Sequence, residues 1–111
     1  MDVFAKLILL QDEESFFGPG VRDLFLNIES QGSVKAASEK MGMSYSKAWK
    51  MIRSVEKTLG GPAIARTQGG RTGGSAYLTP AGKQLLEKYL RLEERGQKAI
   101  EQIFQEEFRT S

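Results

Sequence analysis

The sequence predicts a mainly α-helical chain with small β elements, because helical periodicity dominates it and strand-like runs are short. Apolar residues recur at helical spacing in 21–31, 33–59 and 80–108. Brief runs rich in aliphatic residues, such as 3–10 and 63–67, predict strands. Glycine and proline separate these segments, as expected at turns and helix ends. With 111 residues, the chain fits one domain with an appended helix.

Composition excludes several classes of function. The chain is 40% hydrophobic and 27% charged, as in soluble globular proteins. It has no cysteine and no histidine, which removes disulfides, thiolate metal ligands and the commonest general base. We therefore expect no catalytic site, no metal site and no cofactor. Acidic clusters at 12–14 and 93–107 have no evident partner. The longest apolar run, Leu7 to Leu10, is too short to cross a bilayer, and no secretory signal pattern opens the chain, so we expect a cytoplasmic protein without membrane contact.

The first elements are a hairpin and a helix. Residues 3–17 predict a β-hairpin, with a strand at 3–10, a polar turn and a short return strand at Phe16 and Phe17. A buried helix competes with the first strand, but the run is short and lacks helical periodicity. After a Gly-Pro-Gly break, Val21 to Gln31 predicts a helix with one apolar face, which we expect to act as scaffold.

Residues 33–59 predict a helix-turn-helix. Ser33 stands where the N-cap of a short helix should be. Gly42 can adopt the left-handed conformation that ends that helix. A second helix is predicted from Tyr45 to Leu59, before a Gly-Gly-Pro stop. In such a motif the second helix enters the major groove of DNA.

One face of the second predicted helix is polar and basic. Residues 44–79 hold six Lys or Arg against one acid, a local charge of 6 − 1 = +5, while the whole chain carries +2. A solvated surface is the ordinary explanation for a basic face on an isolated helix. Here the face coincides with a helix-turn-helix, which favours double-stranded DNA as a partner. The face contains Ser46, Lys47, Lys50, Arg53, Ser54 and Lys57.

Two aromatic residues in this helix have different expected roles. Trp49 lies on the apolar stripe, so a place in the core is favoured over stacking on bases. Tyr45 stands at the start of the helix, where side chains reach DNA. Packing inward and contacting phosphate are equally compatible with the position of Tyr45.

Residues 63–79 predict a wing. Two short strands, 63–67 and 76–78, flank the sequence Gly-Gly-Arg-Thr-Gly-Gly. This glycine-rich loop lacks the Gly-Lys-Ser/Thr of a P-loop. A flexible wing suits it better, with Arg71 reaching the minor groove or phosphates and Arg66 reaching the backbone. The alternative is a mobile hairpin tip without a functional contact.

The last third of the chain predicts a long helix from Pro80 to Phe108, with Thr79 as its N-cap. Two apolar positions repeat every seven residues, as in a dimer seam of about three heptads. A second apolar stripe remains for the protomer itself. Folding back onto the domain would account for one stripe only, so we expect a homodimer. The predicted dimer interface contains Leu85, Tyr89, Leu92, Gly96, Ala99 and Ile103.

Residues 16–83 resemble the N-terminal DNA-binding domain of the molybdate-responsive ModE regulators, and parts also resemble LysR-type regulators. The resemblance implies a winged helix-turn-helix at 1–79, followed by a dimerisation helix and tail at 80–111. It also implies a homodimeric transcriptional regulator related to molybdenum. ModE proteins that sense molybdate have a C-terminal oxyanion-binding region beyond the matched segment, so we do not expect tight molybdate binding by this chain alone. The resemblance is carried by Phe17-Gly18-Pro19-Gly20, Gly32-Ser33, Ala36-Ala37, Gly42-Met43-Ser44-Tyr45, Ala48-Trp49, Gly69-Gly70-Arg71-Thr72-Gly73-Gly74 and Leu78-Thr79-Pro80-Ala81-Gly82.

The sequence thus predicts a winged-helix DNA-binding protein, and a winged helix used only for protein–protein interaction is the alternative. The predicted DNA-binding residues are Ser44, Tyr45, Ser46, Lys47, Lys50, Arg53, Ser54, Lys57, Arg66, Gly70, Arg71 and Thr72.

Overall fold

The computed structural model describes residues 1–67 and 74–109, and within these ranges it contains four helices and two antiparallel two-stranded hairpins. This confirms the predicted fold class, with three helices packed together and a fourth that extends from them. In chain order, the elements are β1 Leu9–Gln11, β2 Glu14–Phe17, α1 Pro19–Gln31, α2 Val34–Lys40, α3 Tyr45–Leu59, β3 Ile64–Thr67, β4 Ser75–Leu78 and α4 Pro80–Phe108.

The first strand is much shorter than predicted. Of residues 3–10, only Leu9 and Leu10 belong to β1, which pairs with β2 across a tight turn. Asp12 and Glu13 form this turn with φ values of +50° and +68°, in the left-handed region that non-glycine residues seldom occupy.

Residues 3–7 lie along α4 and do not extend the hairpin. The backbone N–H of Ala5 donates to Gln97 Oε1 at 2.7 Å, and Gln97 Nε2 donates to the carbonyl of Val3 at 2.9 Å. The hydroxyl of Tyr89 donates to the carbonyl of Leu7 at 2.7 Å. Three backbone groups of this segment are therefore hydrogen-bonded to side chains of α4 and not to a partner strand, which explains why the predicted strand does not form here.

The helix-turn-helix forms as predicted, with both helices capped by serine. Ser33 Oγ accepts from the N–H of Ala36 at 3.0 Å, and Ser44 Oγ accepts from the N–H of Lys47 at 3.1 Å. Gly42, in the turn between the helices, has φ +68°. These local signals fix where α2 and α3 begin, and therefore which residues α3 exposes.

The core lies among α1, α2 and α3 and is closed by β2, the second hairpin and the first half of α4. Phe17 of β2 packs edge-on against Phe25 of α1, with ring centroids 5.5 Å apart, and against Tyr89 of α4 at 4.7 Å. The buried apolar side chains are Phe17, Val21, Leu24, Phe25, Ile28, Val34, Ala37, Ala48, Ile52, Val55, Ala63, Ile64, Ala76, Leu78, Leu86 and Tyr89.

The start of α4 is pressed against the segment that leads into β3. The N–H of Thr79 donates to the carbonyl of Ala63 at 2.9 Å, and its hydroxyl donates to the carbonyl of Pro62 at 2.7 Å. Thr79 Oγ1 also accepts from the N–H of Gly82 at 3.1 Å, which caps the helix as predicted. A Cβ on Gly82 would lie only 2.3 Å from the carbonyl oxygen of Ala63. Glycine is therefore required here for close backbone approach.

A polar cluster joins α1 to α4 further along the fourth helix. Arg22 pairs with Asp23 at 2.9 Å and with Glu93 at 2.5 Å. The hydrogen bond that Arg22 donates to Asp23 raises the pKa of Arg22, and the negative charge of Glu93 adds to this effect. Burial raises the pKa of Tyr89, which lies beside the cluster, and Glu93 raises it further.

Across the described ranges, no helix has the length and apolar character needed to cross a membrane.

Candidate nucleic-acid interface

The outer face of α3 is open to solvent along its whole length. Its inner face is fixed by Ala48, Ile52 and Val55, each 0% exposed in the core. With these residues buried, the helical repeat turns the polar and basic residues outward. The structure brings nine predicted DNA-binding residues to one exposed surface, which we call the α3 surface: Ser44, Tyr45, Ser46, Lys47, Lys50, Arg53, Ser54, Lys57 and Arg66.

The cations of the α3 surface make no ion pair with an acid of the described residues. Within residues 1–67 and 74–109, the ion pairs involve only Arg22 and Lys98 as cations. The described part of 44–79 therefore contributes five cations and one acid, a charge of 5 − 1 = +4. Unpaired cations on one face are what a polyanion requires.

The single acid of this region, Glu56, is occupied elsewhere. Its Oε2 accepts from the N–H of Ala63 at 2.9 Å and from the N–H of Ile64 at 3.4 Å. Glu56 therefore attaches the start of β3 to α3 by charge-assisted hydrogen bonds, instead of pairing with the lysines. This contact positions the wing relative to α3, and sequence analysis did not predict it.

The start of α3 carries an aromatic pair that holds Arg66 of β3. The guanidinium carbon of Arg66 lies 4.5 Å from the ring centroid of Trp49, within cation–π range. Arg66 Nη1 donates to the hydroxyl of Tyr45 at 3.3 Å, and the rings of Tyr45 and Trp49 lie edge to face at 6.4 Å. Trp49 is only partly buried, because one side packs on the core and the other faces Arg66. The core position expected for Trp49 is therefore correct for one side of the ring only.

The wing is described at its base but not at its tip. β3 and β4 pair in register from Ile64–Leu78 to Thr67–Ser75, and the hydroxyls of Thr67 and Ser75 are hydrogen-bonded to each other. The predicted wing residues Gly70, Arg71 and Thr72 lie outside the described residues.

The predicted dimer interface needs correction at one position. Tyr89 is 1% exposed and packs within its own protomer, so it is not available to a second chain. Gly96 is partly exposed and lines the same shallow depression as Leu92, although a Cβ there would lie 3.6 Å from Leu7 Cδ1. The heptad pattern missed the burial of Tyr89 because its spacing contains no information about residues 3–7, which occupy that side of α4. Of the other predicted residues, Leu85 is half-buried, whereas Leu92, Ala99 and Ile103 are exposed.

Comparison with known proteins identifies the family. Residues 23–83, from α1 to the first turn of α4, match the sequence profile of bacterial regulatory helix-turn-helix proteins of the lysR family. This chain belongs to that family. It is a family of regulatory proteins, in agreement with the expectation that the chain is not an enzyme.

Curated relatives confirm the resemblance to ModE. The chain is 37% identical over 85 residues to the molybdenum-pterin-binding protein MopB of Rhodobacter capsulatus, a match covering 77% of this chain and 32% of the relative. It is 33% identical to the molybdenum transport protein ModE of Azotobacter vinelandii, over 68% of this chain and 28% of the relative. It is 30% identical to the DNA-binding transcriptional dual regulator ModE of Escherichia coli K12, over 91% of this chain and 38% of the relative. The chain thus spans about a third of the length of these relatives.

Solved structures with this fold include the DNA-binding domain of CbnR in complex with DNA, with a TM-score of 0.56 and 21% identity. That match covers 72% of this chain and 86% of the CbnR chain. ArgP from Mycobacterium tuberculosis matches at a TM-score of 0.56 and 23% identity, over 79% of this chain and 31% of that one. These similarities support the winged helix-turn-helix fold.

Proposed function

We propose that this chain is a DNA-binding transcriptional regulator that inserts α3 into the major groove of double-stranded DNA. The observation that carries the proposal is the α3 surface, a row of exposed cations and hydroxyls on the second helix of a helix-turn-helix. The name of the Escherichia coli relative, a DNA-binding transcriptional dual regulator, supports it.

The residues of the α3 surface divide by the contact we expect of each. Ser46, Lys47, Lys50 and Ser54, all exposed, would reach base edges. Arg53 and Lys57 would contact phosphates, while the wing approaches the backbone or the minor groove with Gly70, Arg71 and Thr72. Phosphate contacts then supply affinity, and the few base contacts supply sequence preference.

The exposed stripe of α4 supports a homodimer. Leu92 and Ile103 are 47% and 49% exposed, so both large apolar residues present much of their surface to water. A surface of this kind is best covered by a second copy of itself in a two-fold dimer.

Charge favours antiparallel pairing of the two α4 helices. Lys88, Arg91 and Arg95 flank Leu92 around a shallow depression, and Glu106 lies further along the same side of the helix. In a parallel pair, the three cations would face their own copies. In an antiparallel pair centred near residue 97, Lys88 faces Glu106 of the second chain and Leu92 faces its Ile103. Opposite charges stabilise such pairs and like charges destabilise them.

Selection of bound duplexes from a random pool, followed by band-shift titration, tests DNA binding and defines the site. Replacing both Lys47 and Lys50 with Ala should weaken binding, since each base contact is worth on the order of 1–3 kcal/mol. The matched control replaces Lys98 of α4 and Arg109, which directly follows α4, with Ala, so that the same charge is removed from exposed positions outside the α3 surface. Equal affinity of the two double variants, both folded by circular dichroism, would contradict docking through α3.

Salt dependence separates DNA binding from the alternative, a protein-interaction module. Affinity for DNA falls steeply with ionic strength because bound counterions are released, whereas an apolar protein interface changes little. A flat salt profile for the selected duplex would favour the alternative.

The dimer is tested by removing its apolar contacts. Replacing Leu92 and Ile103 with Ser should produce a monomer by sedimentation equilibrium and reduce the DNA footprint to one half-site. The wild-type footprint should contain inverted half-sites roughly 34–36 Å apart, or a multiple of this distance.

The charge pair tests the antiparallel orientation: Lys88→Glu alone should weaken the dimer, and adding Glu106→Lys should restore it. A wild-type monomer at micromolar concentration would rule the dimer out.

We propose that the chain takes part in molybdenum-related regulation, because the names of two relatives refer to molybdenum. We propose that this chain alone does not bind molybdate tightly. Titration calorimetry should show negligible heat, and a micromolar or tighter site would overturn this expectation.

A further inference from the structure

We propose that Tyr45 and Trp49 form a platform that holds the guanidinium of Arg66 in position to clamp one phosphate of the DNA backbone beside the wing. This inference rests on the proposed DNA binding and adds to it a role for two aromatic residues. Trp49 is the positioning residue in this arrangement, and Arg66 makes the contact with DNA.

The first support is the geometry of the three side chains. Arg66 lies over the ring of Trp49 at 4.5 Å and donates to the hydroxyl of Tyr45 at 3.3 Å. Trp49 is itself held by the core, where it packs beside the buried residues of α3. The guanidinium is therefore fixed on a rigid surface, which lowers the conformational entropy it loses on binding.

The second support is the charge of Arg66. No carboxylate in residues 1–67 and 74–109 pairs with Arg66, whereas Arg22 has two carboxylate partners. Aromatic rings orient a guanidinium without neutralising it, because they contribute a quadrupole and no net charge. An exposed arginine held this way keeps its charge and its remaining N–H donors for an anion.

The third support is position. Arg66 lies on β3 at the base of the wing, and Tyr45 and Trp49 lie in the first two turns of α3. The N-terminus of a helix is the positive end of its dipole, so an anion between α3 and the wing would be attracted both by this dipole and by the charge of Arg66. A phosphate flanking the groove that α3 occupies fits this location, and the planar fork of Arg suits its oxygens.

A double-mutant cycle on the selected duplex tests the proposal, with affinities measured by fluorescence anisotropy of labelled DNA from about 50 to about 200 mM salt. Arg66→Ala should weaken binding about tenfold and lower the salt slope by about one, as loss of one phosphate contact requires. Trp49→Phe should weaken binding about threefold and leave the salt slope unchanged, because it loosens the arginine but keeps its charge. In the Arg66→Ala background, Trp49→Phe should have no further effect.

A purely structural role for Trp49 would give a different cycle. Trp49→Phe would then weaken binding equally with and without Arg66, and this outcome would overturn the positioning role. Thermal unfolding of each variant shows whether the fold is retained. Arg66→Lys avoids the core altogether and should behave like Trp49→Phe, since it keeps the charge but loses the planar contact. Wild-type affinity of Arg66→Ala would overturn the phosphate clamp while leaving the proposed function intact, whereas failure of wild-type protein to bind any duplex would overturn both.

Discussion

The substitution Gly82→Ala should destabilise the protein even though it places a better helix former in a helix. The added Cβ would lie 2.3 Å from the carbonyl oxygen of Ala63 and 3.1 Å from its carbonyl carbon. Ordinary contact begins at about 3.5 Å, so α4 and the segment before β3 must separate by roughly 1 Å. That shift stretches the two hydrogen bonds from Thr79 to Ala63 and Pro62, now 2.9 and 2.7 Å long.

The expected loss follows from these contacts. Two weakened hydrogen bonds cost about 1 kcal/mol each, and forced overpacking adds about 1–3 kcal/mol. Replacing glycine by alanine in a helix returns about 1 kcal/mol. The free energy of unfolding should therefore fall by about 2–4 kcal/mol.

Urea unfolding monitored by circular dichroism measures this change, and Gly96→Ala is the matched control in the same helix. A Cβ on Gly96 would make an ordinary contact with Leu7 Cδ1 at 3.6 Å. Gly96→Ala should therefore raise the free energy of unfolding by about 0.5–1 kcal/mol. Midpoints that shift in the same direction for both variants, or an unchanged midpoint for Gly82→Ala, would refute the steric argument.

Two further predictions concern the contacts that join the elements. Glu56→Ala should lower the free energy of unfolding, measured by urea titration, by about 1–3 kcal/mol because two backbone N–H groups at the start of β3 lose their acceptor. Glu56→Gln keeps an acceptor oxygen, so its free energy of unfolding should fall by less. Burial raises the pKa of Tyr89 above its ordinary value, so the folded state favours the neutral phenol. The stability from this preference is complete below the unfolded pKa of about 10 and is lost as pH rises through the folded value. Tyr89→Phe should lose the hydrogen bond to Leu7 but show a shallower decline in thermal stability above about pH 10; a decline as steep as the wild type would implicate other groups.

The elements that sequence predicted well are those defined by local signals. Ser33 and Ser44 are adjacent to the helices they cap, and Gly42 lies in the turn that its positive φ permits. The basic face of α3 also follows from helical repeat alone, once the apolar positions are known.

The errors arose where a partner is distant in sequence. The interaction of residues 3–7 with Gln97 spans more than 90 positions, and hydrophobic alternation cannot show that side-chain amides replace a strand. The same absence of long-range information placed Tyr89 in a dimer seam. The contact between Trp49 and Arg66 was missed because the two residues come from separate elements that meet only after folding.

The attachment of residues 3–7 divides α4 into a fixed part and an extended part. Gln97 and Tyr89 hold the helix through their hydrogen bonds to this segment. About 11 residues continue from Gln97 to Phe108, which is roughly 16 Å of helix at 1.5 Å per residue. A tilt of about 10° at this attachment would displace the far end by about 3 Å. In the proposed dimer, a change in how Val3 and Ala5 bind Gln97 would therefore change the distance between the two α3 helices. Residues near the start of the chain would in this way influence which operator spacing the protein fits.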